Sequence, residues 1–261
     1  MLTAFTRAVS RSLASCELTW LARETIDIEL AAAQHERYEE ALRQMGVRVI
    51  SLPEQPDLPD AVFVEDPLIV VDEVAILTRM GAASRRPESE SLEAAISPYR
   101  PVRRLSEPGT LEGGDVMRVG RDVFAGLSGR TNTAGIEQLA RELGVFGYRV
   151  HAVEMRDCLH LKSACTSLGD GKILANSNWL DTEALAGYGI VEVAEEEPGA
   201  ANILRVGDTV LMPACFPRTR RIIEVQGLRV LAIDISELMK AEAAITCSSV
   251  LFEGAAGSGL P

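Results

Sequence analysis

Two residues that could do chemistry, Cys247 and His160, have similar local settings although they are far apart in the chain. Cys247 lies between a threonine and two serines, directly before an apolar strand-like run, and His160 comes just before a predicted β-hairpin. A cysteine thiolate is a nucleophile, and a histidine with an ordinary pKa of about 6.5 transfers protons near neutral pH. Free cysteines are more often buried and inert. If the fold brings the two residues together, they predict nucleophilic catalysis by Cys247 with His160 as general acid and base.

Acidic residues flank short apolar or glycine-rich segments in two motifs. Glu112 precedes a glycine pair in the segment LEGGD, where paired glycines allow the backbone to approach a ligand closely. Asp60, Glu65 and Asp66 flank the apolar segment Ala-Val-Phe-Val. Buried carboxylates must be paired, and a guanidinium pairs them best because its planar fork matches a carboxylate through two hydrogen bonds. These motifs predict a site for a planar cation, and solvated acids on a bulged hairpin are the alternative.

Two arginines occupy matching places after successive predicted hairpins. Arg85 lies in the motif SRR and Arg130 lies in the motif GLSGRTN. Each could hold the carboxylate of a substrate, and ordinary surface charge is the alternative. The other two histidines are expected to play no catalytic part. His35 falls in the polar part of a predicted helix and should lie on the surface, whereas His151 alternates within a predicted strand and should be structural.

The elements that must position these residues form a repeated pattern of hairpin, helix and strand. Short polar or glycine-containing turns interrupt apolar runs again and again, which is typical of β-hairpins. Helices are predicted over 27–45, 87–97 and 134–143, where apolar residues share one face. The hairpins start after five positions, namely Phe63, Leu111, His160, Asn202 and Cys247.

This repeat predicts an α/β fold, a five-bladed α/β-propeller with pseudo-fivefold symmetry. The N-terminal strand, helix and strand, about residues 3–52, complete the fifth unit, so the two ends of the chain close the ring. Residues 1–253 would form one domain and residues 254–261 a flexible tail. In a ring, the residues that precede the hairpins converge at the axis, which gathers acids, a histidine and a thiol in one pocket. Two ordinary α/β domains are the competing interpretation.

The composition narrows the class of partner. The 261 residues are 47% hydrophobic and carry a formal net charge of −12, which predicts a folded core and a field that favours cationic ligands. No basic cluster could follow a nucleic-acid backbone, and no apolar run reaches the ~20 residues that span a bilayer. The five cysteines have no metal-ligand spacing and predict reduced thiols in a cytoplasmic protein. The start of the chain has the composition of a transit peptide, but residues 3–9 fit a strand of the fold better.

Six motifs in chain order resemble those of the dimethylarginine dimethylaminohydrolases. They are FVED (63–66), SRR (84–86), LEGGD (111–115), GLSGRTN (126–132), LHLKSAC (159–165) and TCSSV (246–250). That family belongs to the guanidino-group-modifying enzymes, which share the five-bladed pentein fold. The resemblance implies hydrolysis of asymmetric N,N-dimethylarginine, and of monomethylarginine, to citrulline plus dimethylamine or methylamine through a covalent Cys thiouronium intermediate.

The resemblance also implies a role for each matched residue. Cys247 is the implied nucleophile, His160 the general acid and base, and Glu112 a further catalytic residue that binds the guanidinium. Substrate-binding roles are implied for the remaining positions, namely Leu18, Asp60, Glu65, Asp66, Arg85, Arg130 and Ala241. No cofactor and no metal ion are implied. The expected partner is a small methylated arginine rather than a nucleic acid or a membrane, and a homodimer is compatible with the family.

One segment is expected to cover the pocket, and three other functions stay open. From its position and irregular pattern, the segment 13–25, which contains Trp20, is the expected lid. An arginine deiminase or an amidinotransferase would use the same nucleophile with a different leaving group or acceptor. A non-catalytic pentein would bind a macromolecule and would need neither the cysteine nor the acids. A thiol protease would need a Cys–His pair but has no use for the acid cluster or the arginine pair.

Overall fold

The structure is a computed structural model that describes residues 1–254. Within these residues, the strands are β1 (Leu2–Arg7), β2 (Arg48–Leu52), β3 (Leu68–Val70), β4 (Ala75–Leu77), β5 (Val102–Arg104), β6 (Val116–Val119), β7 (Asp122–Leu127), β8 (Arg149–Glu154), β9 (Cys165–Gly169), β10 (Lys172–Ala175), β11 (Gly189–Glu192), β12 (Leu204–Val206), β13 (Thr209–Pro213), β14 (Arg229–Ile233) and β15 (Val250–Glu253). They form five sheets of three strands each. The segment predicted as a tail, 254–261, lies outside the described residues except for Gly254.

Four of the six helices in the described residues connect the second and third strands of a sheet, and two short ones precede the first strand of a sheet. They are α1 (Ile28–Gln44), α2 (Glu88–Ile96), α3 (Thr133–Gly144), α4 (Leu161–Ala164), α5 (Pro217–Val225) and α6 (Ser236–Met239). The three helices predicted from the sequence are therefore confirmed to within one residue at each end. The sheet β9–β10–β11 differs from the others because a short 3₁₀ turn, Thr182–Leu185, stands where the others have a helix. In the described chain, no helix is long and apolar enough to cross a bilayer.

Each sheet repeats one plan. In four sheets a hairpin joins the first two strands in antiparallel pairing, and in all five the third strand pairs parallel to the second after a crossover. The fifth sheet has the order β15–β1–β2, in which Leu2 pairs with Glu253 and Phe5 with Val250. The prediction that the two ends of the chain complete one unit is thus confirmed.

The first strand of each hairpin lies on the inside of the ring. Strand β9 contacts β6 on one side and β12 on the other, and β15 contacts β3. Apolar clusters fill the space between neighbouring units, and one of them joins Ile76 of β4 and Val123 of β7 to Leu139 of α3. Burying such a side chain contributes about 1.5–3 kcal/mol, so packing between adjacent units holds the ring together. As a result, the segments that precede the hairpins meet around one axis.

The boundaries of helix α1 follow from its local sequence, but the environment of its residue His35 does not. The Asp27 carboxylate caps its start by accepting from the Leu30 N–H at 3.0 Å, and Gly46, with φ of 82°, ends it. The prediction that His35 lies on the surface is wrong, because His35 is only 3% exposed. Helix α1 contacts α6 and β14 as well as β2, so its polar face is covered too. The His35 ring stacks on that of Tyr38, with 5.9 Å between their centroids.

Candidate active site

A small pocket at one end of the ring axis collects residues from segments that are far apart in the chain. Seven of the residues predicted for the site line it: Asp60, Asp66, Arg85, Arg130, His160, Ala241 and Cys247. The sulfur and the imidazole on which the chemistry depends therefore face one pocket. Of the residues expected to converge from the repeat, Asp66, His160 and Cys247 line this pocket, whereas Glu65 and Glu112 do not.

Cys247 lies in a single 3₁₀ turn, Thr246–Ser248, two residues before the final strand. Its Sγ accepts a hydrogen bond from the Ala244 N–H at 3.4 Å. Burial raises the pKa of this thiol far above its ordinary value, and the carboxylates of Glu65 and Asp66 raise it further. These effects favour the thiol in the protein alone, and a further positive charge next to the sulfur would favour the thiolate.

The turn that carries Cys247 is held from two sides. The Asn202 side chain accepts from the Thr246 N–H at 2.9 Å and donates to the Thr246 Oγ1 at 3.0 Å. On the other side of Cys247, the Ser249 hydroxyl shares a 2.6 Å hydrogen bond with the Tyr38 hydroxyl of α1. Asn202, Tyr38 and Ser249 are all buried. These contacts limit the movement of the nucleophile, because a buried polar group that loses its partner is destabilised.

His160 comes immediately before α4 and is 6% exposed. Its Nε2 lies 2.8 Å from Glu112 Oε2, and its Nδ1 lies 4.0 Å from Asp66 Oδ1. Burial by itself lowers the pKa of the imidazole, but the negative charges of Asp66 and Asp115 and the hydrogen bond to Glu112 outweigh burial and raise this pKa to about 9. The ring is therefore an imidazolium at neutral pH and can donate a proton.

Asp66 is the buried acid at the centre of the pocket. Its Oδ1 accepts from the Gly114 N–H at 3.0 Å, and its Oδ2 accepts from Arg85 Nη1 at 2.8 Å. Burial raises the pKa of Asp66, but the positive charges of His160 and Arg85 outweigh burial and hold this pKa below its ordinary value. Asp66 is therefore an anion that faces the pocket beside the imidazolium.

Glu112 is completely buried and reaches the pocket through its partners. Its Oε1 accepts from the backbone N–H groups of Gly81 and Ala82 at 3.1 and 3.3 Å, while Oε2 pairs with His160. Burial raises the pKa of Glu112, but the hydrogen bond from His160 outweighs burial and lowers this pKa. Arg130 Nη1 lies 3.4 Å from Glu112 Oε1. Glu112 therefore orients His160 and adds negative charge next to the pocket.

The glycine pair of the LEGGD motif allows close approach, as predicted, but the groups that approach belong to the protein. A Cβ added to Gly113 would lie 2.0 Å from the carbonyl oxygen of Glu65, and one added to Gly114 would lie 2.6 Å from His160 Nδ1. Real Cβ atoms do not tolerate such contacts. The motif therefore lets the imidazole sit directly on the backbone, next to the acids that raise its pKa.

The two predicted arginines differ in how many hydrogen bonds their side chains already form within the protein. Arg85 is buried, and its Nε and Nη2 donate to both carboxylate oxygens of Glu88 at 2.9 Å, while Nη1 donates to Asp66. Arg130 donates through Nη2 to Thr19 Oγ1 at 2.8 Å and has only the long contact to Glu112 besides. Arg130 therefore has more freedom to meet a substrate carboxylate than Arg85.

The structure places two predicted substrate-binding residues away from the small pocket. The Glu65 carboxylate pairs with Lys162 and accepts from Thr246 Oγ1 at 2.7 Å, and it lines a separate, larger cavity along the axis. Leu18 packs against the apolar cluster next to Cys247, and its neighbour Glu17 lines the pocket instead. Alternation around Glu65 and Asp66 sends their side chains in different directions, which the motif FVED alone does not reveal.

Glu17 of the predicted lid segment 13–25 lines the pocket, and four other residues of the wall were not predicted from the sequence: Phe63, Leu159, Glu242 and Ala243. Phe63 and Leu159 lie inside motifs already quoted, so their positions could have been inferred. Asp115, the last residue of LEGGD, was also missed. It is fully buried, accepts from Ser128 Oγ at 2.6 Å and from the Leu161 N–H at 2.9 Å, and contributes to the raised pKa of His160.

A metal ion has one conceivable set of ligands here. One atom from each of Asp66, Glu112 and His160 lies within 4.8 Å of the others. However, His160 and Glu112 already form an ion pair through these atoms, and His160 carries a proton at neutral pH. A divalent ion would have to displace that proton and break the pair, so the arrangement fits a guanidinium better than a metal.

The comparison with known proteins agrees with this geometry. The family model described as "N,N dimethylarginine dimethylhydrolase, eukaryotic" matches residues 16–247. The chain belongs to the dimethylarginine dimethylaminohydrolase family. The family member from Pseudomonas aeruginosa is 38% identical over 87% of this chain and 90% of its own length, and the one from Streptomyces coelicolor is 39% identical over 95% of each chain. The chain is therefore similar to these hydrolases over nearly its whole length.

Solved structures of dimethylarginine dimethylaminohydrolases have the same fold. A cysteine-to-serine mutant of the Pseudomonas aeruginosa protein, complexed with citrulline, matches with a TM-score of 0.91 and 36% identity over 96% of this chain and 98% of that chain. A histidine-to-glycine variant forms an adduct with S-methyl-L-thiocitrulline and also matches with a TM-score of 0.91. The N-terminal domain of ArgZ, at 19% identity and a TM-score of 0.87, shares the fold alone. The predicted five-bladed pentein fold is confirmed.

Proposed function

We propose that this chain hydrolyses asymmetric N,N-dimethylarginine, and monomethylarginine, to citrulline and the corresponding amine, with Cys247 as the nucleophile. The observation that carries the proposal is the shared pocket, in which the Cys247 thiol, the His160 imidazolium and the Asp66 carboxylate face one another. A pocket with one thiol, one proton donor and fixed carboxylates suits a cationic carbon that must be attacked and then lose an amine.

Substrate binding follows from the charges. Asp66 and Glu112 are anions beside the pocket, so a guanidinium can replace water there and donate hydrogen bonds to fixed acceptors. Arg130 would hold the α-carboxylate, and Arg85, already paired with Glu88 and Asp66, stays a prediction for that role. Asp60 accepts from the Glu17 N–H at 3.0 Å and, with the backbone near Ala241, would mark the amino-acid end of the pocket. Leu18 and Glu65 are further from the pocket and stay predictions.

The first half of the reaction forms a covalent bond to sulfur. A bound guanidinium brings a positive charge next to Cys247 and so lowers the thiol pKa that burial and the carboxylates raise. The thiol proton passes to solvent, and the thiolate attacks the guanidinium carbon and gives a tetrahedral intermediate. His160 donates its proton to the dimethylated nitrogen, the C–N bond breaks, and neutral dimethylamine leaves a Cys247 thiouronium.

The second half restores the enzyme. His160 is now a neutral imidazole surrounded by Asp66, Asp115 and Glu112, which favour its protonated form. It takes a proton from a water molecule, and the water oxygen bonds to the thiouronium carbon. The C–S bond then breaks and the hydroxyl proton of the intermediate passes to the departing sulfur, so neutral citrulline is released and Cys247 returns to its thiol form. One residue thus acts as acid and then as base, because its pKa of about 9 favours the imidazolium at neutral pH.

A substrate comparison tests the proposal. Citrulline formation should be faster from N,N-dimethylarginine than from arginine at equal concentrations, with dimethylamine as the second product. Faster turnover of arginine would support an arginine deiminase instead. The Cys247→Ser variant should form citrulline about 10³-fold more slowly or not at all. The Cys215→Ser variant, which removes an exposed cysteine, should behave like the wild type. Full activity of the Cys247 variant would exclude the proposed nucleophile.

The proposal extends to the cellular setting, the domain organisation and the oligomeric state of the chain. All five cysteines lie in the described residues and none forms a disulfide, which is compatible with a reducing, cytoplasmic setting. Residues 1–253 would act as one domain, because the pairing of β15 with β1 joins the two ends. A homodimer stays a prediction, which light scattering of the purified chain can check.

A further inference from the structure

One short stretch of the chain, residues 17–21, forms part of the pocket wall without belonging to a helix or strand. We call it the flap. Glu17 lines the pocket, whereas Trp20 and Leu21 are 56% and 51% exposed. Leu18 packs against an apolar cluster, but the exposed side chains of Trp20 and Leu21 do little to hold residues 19–21 in place. Their position must therefore depend on hydrogen bonds.

The Glu242 carboxylate supplies most of these bonds. It accepts from three successive backbone N–H groups of the flap: that of Thr19 at 2.9 Å, that of Trp20, and that of Leu21 at 2.6 Å. Three donors converge on one carboxylate, an arrangement that binds an anion well. A charged acceptor of this kind forms stronger hydrogen bonds than a neutral one.

The backbone of Glu242 adds an independent observation. Its φ is 58°, in the left-handed region that favours glycine and that an L side chain adopts at a cost. Strained positions persist where the surroundings determine them, and they concentrate at functional sites. The residues on either side, Ala241 and Ala243, both line the pocket. The conformation therefore places Ala241 and Ala243 in the wall while the Glu242 carboxylate reaches the flap.

Residues expected to bind substrate hold the same flap. The Asp60 carboxylate accepts from the Glu17 N–H at 3.0 Å, and Arg130 donates to the Thr19 hydroxyl at 2.8 Å. A flap that moved would pull on Asp60 and Arg130. Its position and the geometry of the amino-acid end of the pocket are therefore coupled.

We propose that Glu242 is a positioning residue: its carboxylate latches the flap to the loop between α6 and β15 and so completes the amino-acid end of the pocket. This inference rests on the proposed function for the identity of the substrate, but the latch itself does not depend on it. Removing the latch should weaken substrate binding more than it slows the bond-breaking step, because Cys247 and His160 are held by other contacts.

The variant Glu242→Gly tests the latch with little risk of strain. Glycine adopts a φ of 58° readily, so the variant removes the carboxylate while it relieves the backbone. The matched control is Asp170→Gly, because Asp170 is also an acid with positive φ, 53°, but lies in the β9–β10 turn. Thermal unfolding of both variants should show that the fold is retained.

Amide hydrogen exchange measures the latch directly, because the latch consists of hydrogen bonds from three backbone N–H groups of the flap to Glu242. In Glu242→Gly, the amides of residues 19–21 should exchange about tenfold faster or more than in the wild type, whereas in Asp170→Gly they should not change. The Glu242→Gln variant keeps one acceptor oxygen and should fall between the two. Unchanged exchange in Glu242→Gly would overturn the proposal.

Kinetics then test positioning. With N,N-dimethylarginine as substrate, Glu242→Gly should raise KM about tenfold and change kcat about threefold or less. Faster exchange with both constants unchanged would show a structural bond only and would overturn the positioning role. If the wild type forms no citrulline at all, the proposed function fails, and the exchange experiment still decides whether Glu242 latches the flap.

Discussion

The two ends of the pocket are built in opposite ways. At the guanidinium end, Asp66, Glu112 and His160 are at most 6% exposed and are joined to one another or to buried backbone groups. At the amino-acid end, backbone N–H groups of an exposed stretch are held by the side chain of Glu242. The first end is fixed before a substrate arrives, whereas the second can open by breaking a few hydrogen bonds.

The two arginines repeat this contrast. Arg85 is held by the buried Glu88 carboxylate and by Asp66, so it serves the fixed end as a support for the central acid. Arg130 reaches across to Thr19 of the flap. Preorganised charges stabilise developing charge without having to reorganise, and substrates must still enter and leave. Buried, fully paired side chains are therefore concentrated where bonds change, and exposed, hydrogen-bonded segments lie where the amino acid enters.

The largest effect is expected at the fixed end. Replacing Cys247 with serine should reduce kcat by about 10³-fold or more, because no other group in the pocket can form the thiouronium. Calorimetry should show that N,N-dimethylarginine still binds, since the acids and Arg130 are untouched. If Cys247→Ser also lost substrate binding, the variant would disturb the site as a whole. The loss of activity would then not identify Cys247 as the nucleophile, even with an active Cys215→Ser control.

A smaller effect should follow from Glu112→Gln, which removes one of the charges that raise the pKa of His160. We expect kcat to fall about 10²-fold. In the wild type, kcat/KM should fall as pH rises through about 9, where His160 loses its proton. In the variant that descending limb should move to lower pH. A pH–rate profile measures both, and a limb that stays in place would show that Glu112 does not influence the titrating group.

A substitution nearer the flexible end should act on binding. Arg130→Ala should raise KM for N,N-dimethylarginine about 10–100-fold and change kcat less, because the side chain is placed to meet the substrate carboxylate. The matched measurement uses the decarboxylated analogue, N,N-dimethylagmatine. If the variant loses as much activity with this analogue as with the amino acid, Arg130 does not bind the carboxylate.

The smallest expected effect concerns stability rather than activity. The pKa of His160 is about 9 in the folded protein and about 6.5 in an unfolded chain, so its stabilising contribution is complete below pH 6.5 and is lost as pH rises through 9. The melting temperature should therefore decline over this interval. His160→Gln should reduce that decline, and identical pH dependence in the two proteins would contradict the raised pKa.

The sequence was most informative where structure depends on neighbours in the chain. Asp27 caps α1 and Gly46 ends it, and hairpin turns separate the paired strands, because capping and turn formation involve residues a few positions apart. The order of the units and the residues before each hairpin followed from this local pattern. From those residues alone the acids, His160 and Cys247 could be expected to meet.

Only the tertiary structure decided which way several side chains point and what they meet. Glu65 turns to Lys162 while Asp66 faces the pocket, Arg85 pairs with Glu88, and His35 is buried beside Glu39 and Tyr38 of its own helix. The hydrogen bond that the Trp20 N–H donates to the Glu242 carboxylate joins residues 222 positions apart. Sequence alone determined the units of this protein and the residues at their inner edge, because those depend on short-range preferences. The pKa of His160 and the latch on the flap arise from burial and from charges that only ring closure brings together.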